Sequence, residues 1–148
     1  EMVQIKGVDS TQRMTKADLA AGAKLIIRER LLTHGDQHAE SGFVVNLNGE
    51  DSSANVISRS VAKNNSTQVF NAEINGNAKC AGHSECDAII MDHAKISAIP
   101  KIVANDIDAA LIHEAAIGKI AGEQLIKLMT LGLTEKEAEA QIINGFLK

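Results

Sequence analysis

Residues 86–123 read CDAIIMDHAKISAIPKIVANDIDAALIHEAAIGKIAGE. Within this stretch the spacing of the apolar residues changes from strand-like to helical. Up to Gly118 it consists of short apolar runs separated by Asp, Asn and Lys, which is typical of short strands bounded by turns. Beyond Gly118 the apolar residues recur with the spacing of a helix. The stretch therefore predicts that a β part ends here and a helical part begins.

The residues before this stretch continue the β pattern. Clusters of Gly, Asn, Asp and Ser separate the apolar runs, as at 48–51. Short strands at fairly even spacing suit either an antiparallel sandwich or a β-solenoid, and no aligned sequence repeat decides between them. Residues 15–23 are predicted as a short helix or a loop, and residues 1–8 alternate only roughly. The predicted strands are 24–32, 42–47, 55–61, 68–74, 86–91, 94–99, 102–104 and 109–112.

The composition indicates a mainly β protein with a core of Ile, Leu, Val and Ala. Of the 148 residues only 2% are aromatic, with no Trp or Tyr, which a thin solenoid tolerates better than a sandwich. The net charge of −4 and the absence of a basic stripe argue against nucleic-acid binding. No apolar window is long enough to cross a membrane. Two cysteines do not make a disulfide framework, so a cytoplasmic location is expected. Because the chain begins at Glu1, we expect a fragment or a processed product.

The last 31 residues predict a helical hairpin, which divides the chain into a β part at 1–117 and a helical part at 118–148. Gly132 is expected to end the first helix. Thr134 and Glu137 form a capping box that begins the second. Such a pair cannot bury both its faces, so it is expected to dock on its own β part or on a partner. The apolar positions are Leu125, Leu128 and Met129 in the first helix, and Ala138, Ile142 and Phe146 in the second.

One motif with metal-ligand chemistry is Cys80-x2-His83-x2-Cys86. Thiolate and imidazole are ligands that zinc and softer metals prefer, but the motif supplies only three of them. Two alternatives remain open at this point. Cys86 is either a small buried apolar residue, which is the usual fate of a free cysteine, or a thiol made reactive by the nearby histidine.

His113 and Glu114 form an adjacent imidazole–carboxylate pair. On a strand they would face opposite sides, so one site could use both only through a bulge or a bend. The other histidines, His34, His38 and His93, are expected in turns or on the surface. No phosphate-binding loop, nucleophile elbow or Cys-x-x-Cys motif is found, and no catalytic constellation predicts an enzyme.

The segments SECDAII at 84–90, HEAAIGKI at 113–120, EQL at 123–125 and NGFL at 144–147 resemble the C-terminal part of the SufB/SufD family, the scaffold proteins of Suf iron–sulfur cluster assembly. The resemblance is best from about residue 55 onward. It implies a right-handed parallel β-helix followed by a small helical domain. It also implies two partners: a SufC-type ABC ATPase on the C-terminal helices, and a SufB or SufD paralogue or a second copy that pairs through the β-helix.

The resemblance further implies a SufB-like site for a transient iron–sulfur cluster. Cys86 falls at the position of the cluster-building thiol, and His113 and Glu114 fall at a His-Glu pair implicated in ligation at the dimer interface. An interface could draw ligands from two chains. Cys80 and His83 do not fall on family positions, and the chain is much shorter than a usual member. Two alternatives stay open, a SufD-like structural subunit without a cluster and a small zinc-binding protein.

Overall fold

The computed structural model describes residues 2–4 and 9–148, and it is a β-solenoid of about four turns followed by two helices. This confirms the predicted fold class. One sheet has the strand order β1-β3-β5-β7-β9 and the other β2-β4-β6-β8, and every strand pair is parallel. The strands are β1 Met2–Gln4, β2 Ser10–Leu19, β3 Lys24–Thr33, β4 His38–Leu47, β5 Ser52–Ala62, β6 Thr67–Gly76, β7 Cys80–Ile90, β8 Lys95–Ala104 and β9 Ala109–Gly118.

The solenoid repeats every 27 to 29 residues, with one strand from each sheet in each turn. Ser52 pairs with Cys80 and Cys80 pairs with Ala109, so equivalent positions stack along the axis. Within a strand, side chains alternate between the interior and the outer surface. Two residues at matching positions in successive turns therefore share a face, even when their types differ.

Repeated polar residues shape the corners of each turn. The left-handed backbone recurs at Gly35, Asn64 and Asp92, which have φ values of 59°, 60° and 56°. At another corner the side-chain amide of Asn77 donates to Asn48, and that of Asn105 donates to Asn77, both at 2.7 Å. Such residues tolerate left-handed backbone and can bond to their counterparts in the next turn, so the corners stack in register.

The core is the thin space between the two sheets. Phe43 and Phe70 lie in neighbouring strands with their ring centroids 5.8 Å apart. Leu47, Val56 and Ile74 are at most 1% exposed. The aliphatic core expected from the composition is thus built, with two of the three Phe residues at its centre.

Several predicted elements were wrong in type or extent. Of residues 15–23, predicted as a helix or loop, 15–19 lie in β2 and 20–23 form the loop before β3. The interior positions of β2 include Arg13 and Thr15, so this strand shows no apolar alternation. β7 begins at Cys80 rather than residue 86. The predicted strands 94–99 and 102–104 form one strand, β8, which continues through Pro100. β8 is an edge strand, where the missing N–H of proline is tolerated.

The two helices are α1, Gly122–Thr130, and α2, Glu135–Phe146. The capping box of Thr134 and Glu137 is confirmed, and Gly132 takes a φ of +96° between the helices. Ala138 and Ile143 of α2 are buried, whereas α1 has no buried residue. That residues 1–117 and 118–148 are separate domains stays a prediction. In the described part of the chain, no helix is both long and apolar enough to span a bilayer.

Contacts hold α2 to the solenoid. Lys63, which directly follows β5, makes an ion pair of 2.7 Å with Glu139. Arg30 of β3 donates to the backbone carbonyl of Lys148. The second helix therefore docks on the β part, which is one of the two arrangements expected from its pattern.

Candidate functional site

Cys86 faces the interior of the solenoid in the turn next to its C-terminal end. It stacks in register on Ser58 and, one turn further, on Glu29, and it is 1% exposed. Burial raises the pKa of the thiol to about 11, and the charges of Asp87 and Glu29 add to the effect. The thiol is therefore protonated near neutral pH, and a buried thiol of this kind is inert until its surroundings change.

His113 lies on the same interior face, one strand further along. It lies two residues after Leu111, which packs against the core from the same face of β9. Its register partner is Ser84 of β7. Three polar atoms are buried here: the two ring nitrogens of His113 and the hydroxyl oxygen of Ser84. None of them has a hydrogen-bond partner among the described residues. Unpaired buried polar atoms are rare and costly, so this group requires an explanation.

Cys86 and His113 are close neighbours on this face. Cys86 is opposite Ala115 in the register of β7 and β9, so His113 is displaced by two residues along the strand. Strand spacing and rise place the two Cα atoms roughly 8 Å apart, a separation that two side chains reaching toward one ligand can bridge. The structure thus brings together two of the three residues that the resemblance implied.

Glu114 faces the opposite side, as expected for adjacent residues on a strand without a bulge. Its side chain is 67% exposed, and its carboxylate lies 3.6 Å from Nε2 of His83. The register of β7 and β9 is continuous and pairs Glu114 with Glu85, so no bulge rotates it inward. Within one chain, Glu114 therefore does not share the interior site with Cys86 and His113.

The motif Cys80, His83 and Cys86 does not form one metal site. All three residues lie on the single strand β7, where Cys80 and Cys86 are buried and His83 faces outward. A separation of six residues along a strand is roughly 20 Å, too far for both thiols to bind one ion. Burial also raises the pKa of Cys80. The zinc-binding alternative consequently loses its ligand set.

The remaining histidines are exposed at the corners or at a strand end, as predicted. His34 and His93 lie in corners, and His38 begins β4, where its Nδ1 is 2.7 Å from the hydroxyl of Thr67. None of these three belongs to a metal-ligand group among the described residues.

Two features of the site were missed in the sequence. The first is Glu85, which joins His83 and Glu114 on the outer face; the alternation of His83 and Glu85, with Glu114 one turn later, was the available signal. The second is Glu29, which is 3% exposed and lies below Ser58 and Cys86. It accepts hydrogen bonds from Ser41 at 2.5 Å and Ser58 at 2.9 Å, and it is paired with Arg13. Only the register could reveal this second feature.

Comparison with known proteins places these residues in a family. The family model described as "SUF system FeS cluster assembly, SufBD core domain" matches residues 2–146. An iron–sulfur cluster assembly SufBD family protein of Methanothermobacter thermautotrophicus is 34% identical over 127 residues, covering 84% of this chain and 31% of the relative. The SufBD family protein MJ0034 of Methanocaldococcus jannaschii is 40% identical over 105 residues, covering 70% of this chain and 33% of the relative.

A third relative, the SufBD family protein PH1385 of Pyrococcus horikoshii, is 37% identical over 120 residues, covering 80% of this chain and 27% of the relative. The chain thus spans about a third of the length of these relatives. The family model covers nearly all of the chain, including the solenoid and both helices. The chain belongs to the SufBD family of iron–sulfur cluster assembly proteins.

Proposed function

We propose that this protein is a scaffold subunit of iron–sulfur cluster assembly, SufB-like in type, on which a nascent cluster is bound by Cys86 and His113. The cluster is the cargo of the protein and not a resident cofactor. The observation that carries the proposal is the pairing of a thiol with an unpartnered imidazole on one interior face. Thiolate and imidazole are both established ligands of iron in such clusters.

The buried unpaired nitrogens of His113 support this assignment. An imidazole with no hydrogen bond in a protein interior costs stability, and binding iron through a nitrogen would use the free lone pair. Ser84 beside it offers a hydroxyl that can donate to a ligand or to the ring. The thiol contributes once it is deprotonated, because the thiolate is the form that binds metal.

The site must open before it can accept iron or sulfide. Cys86 is covered by the last turn, and β9 lies at the end of its sheet, with β7 as its neighbour. An edge strand has unpaired N–H and C=O groups along one side, so it is the part of a sheet that a second chain can join. We therefore propose that a paralogue or a second copy pairs at this end and that rearrangement there exposes Cys86.

The helices are the proposed docking surface for a SufC-type ATPase. α1 has no buried residue, and Ile126 and Met129 are 64% and 43% exposed. Leu131, just beyond the helix, is 74% exposed. ATP binding by such a partner is the proposed source of the rearrangement. This assignment extends to the chain what the family resemblance implies about the C-terminal helices.

The ligand role implied for Glu114 stays a prediction, since its carboxylate faces outward while Cys86 faces inward. The SufD-like alternative, a structural subunit without a cluster, is favoured by one observation: the raised pKa and burial of Cys86 make the resting thiol unreactive. A cytoplasmic location also stays a prediction.

Anoxic reconstitution with iron and sulfide tests the proposal. Cys86→Ser is expected to lose at least tenfold in bound iron and sulfide, because it removes the thiolate ligand. Cys80→Ser is the matched control: it removes the other buried thiol of the same face of β7 and is expected to load normally. Iron, sulfide and visible spectra are measured on each variant, with circular dichroism to check folding.

Equal cluster content in Cys86→Ser and the unmodified protein would contradict the scaffold role of this thiol. Absence of a cluster in every variant, also when the ATPase partner and ATP are present, would favour the SufD-like structural role instead.

A further inference from the structure

A second group of ligand-type side chains lies on the outer face of the sheet, on the other side of the strands from Cys86. His83 and Glu85 are two residues apart on β7 and so share that face. Glu114 of β9 is the register partner of Glu85. One ligand atom from each of the three side chains lies within 4.8 Å of the others.

The imidazole is held in the orientation that metal binding requires. Nδ1 of His83 donates a hydrogen bond of 3.0 Å to the side-chain oxygen of Asn55 in the preceding turn. In the neutral ring this leaves the lone pair on Nε2, which faces Glu114 at 3.6 Å. A histidine that binds a metal commonly donates its other N–H to such a partner, which fixes the tautomer and the ring. Asn55 thus holds the ring through the nitrogen that does not face Glu114.

From this arrangement we propose that His83, Glu85 and Glu114 form a binding site for a divalent first-row metal ion. One imidazole and two carboxylates are a borderline-to-hard donor set, which suits Fe²⁺, Mn²⁺ or Zn²⁺ better than a soft ion. Both cysteines face inward, so no thiolate takes part. Three protein ligands on an exposed surface leave the remaining positions of an octahedral ion to water. This site does not depend on the cluster role of Cys86.

The chain contains its own control for this geometry. His38 and Glu40 have the same His-x-Glu spacing on the outer face of β4. The register partners of Glu40 are Gln12 and Val69, so no third carboxylate faces that pair. If the His-x-Glu spacing were sufficient, the pairs at His38 and at His83 would both bind a metal. Among the described residues, however, the proposed group of three ligands occurs only around His83.

Titration with Co²⁺ and Mn²⁺ in the absence of sulfide tests the site by calorimetry and, for Co²⁺, by visible absorption. The protein is expected to bind one equivalent, with affinity at least tenfold lower in His83→Ala and in Glu85→Gln. The double variant His38→Ala with Glu40→Gln, and Cys80→Ser, are expected to bind as the unmodified protein does. Circular dichroism checks that each variant folds.

Unchanged binding in His83→Ala and Glu85→Gln, or no binding by the unmodified protein, would overturn the site. Loss of binding in Cys86→Ser, with thiolate-to-cobalt charge transfer in the unmodified protein, would place the ion at the interior thiol instead. Failure of cluster reconstitution would leave these titrations unaffected, so the two proposals fail independently.

Discussion

At the scale of single residues, the direction of each side chain decides the chemistry. Cys80, His83 and Cys86 look like one motif in sequence, but the alternation of a strand separates His83 from the two thiols. The same rule, applied to His113 and Glu114, correctly predicted opposite faces. Once a segment is assigned as a strand, the sequence alone therefore predicts which of its residues share a face. It could not supply the partners of each residue, because those come from other turns of the solenoid.

Because the thiol of Cys86 is buried, we expect the free energy of unfolding to fall as the pH rises in the alkaline range. The pKa of this thiol is raised from 9.0 to about 11. The contribution of its burial to the free energy of unfolding is therefore fully present below pH 9 and is lost as the pH rises from 9 to 11. The loss expected from this group is about 2–3 kcal/mol, from 1.36 kcal/mol for each pKa unit. Denaturant unfolding at several pH values measures it, with Cys86→Ala as the reference that lacks the group. If the free energies of unfolding of the two proteins changed with pH in parallel, burial of the Cys86 thiol would be contradicted.

At the scale of elements, local signals predicted the helices better than the strands. The capping box at Thr134 and the glycine at 132 depend on residues close in sequence, and both are confirmed. β2 was missed because Arg13 points inward to pair with Glu29 of β3, which removes the expected apolar alternation. A contact between strands thus overrides the local pattern.

The exposed face of α1 is the element that we propose binds the ATPase. Ile126→Asp is expected to weaken binding of a SufC-type ATPase at least tenfold, because it places a charge where an apolar side chain would be buried. Gln124→Asp is the matched control, an exposed position on another side of the same helix. Calorimetric titration of the two proteins measures the effect. Equal affinity in both variants would move the interface away from this face.

At the scale of the whole molecule, stacking of turns explains what the sequence leaves hidden. The length of a turn varies between 27 and 29 residues, and residues at matching positions share a face of the sheet but not their type, so the sequence contains no strict repeat. The corner residues Gly35, Asn64 and Asp92 were the available signal, because all three share the left-handed backbone. The family resemblance led to the solenoid, but the interior pairing of Cys86 with His113 needed the register.

The central claim is that the cluster is bound from the interior face by Cys86 and His113. Pulsed electron paramagnetic resonance of the reduced, reconstituted protein, labelled with ¹⁵N-histidine, tests it most directly. We predict a nitrogen coupling to the cluster that is lost in His113→Gln and retained in His83→Gln, whose ring is on the outer face. A coupling that persists in His113→Gln, or that disappears only in His83→Gln, would contradict the account.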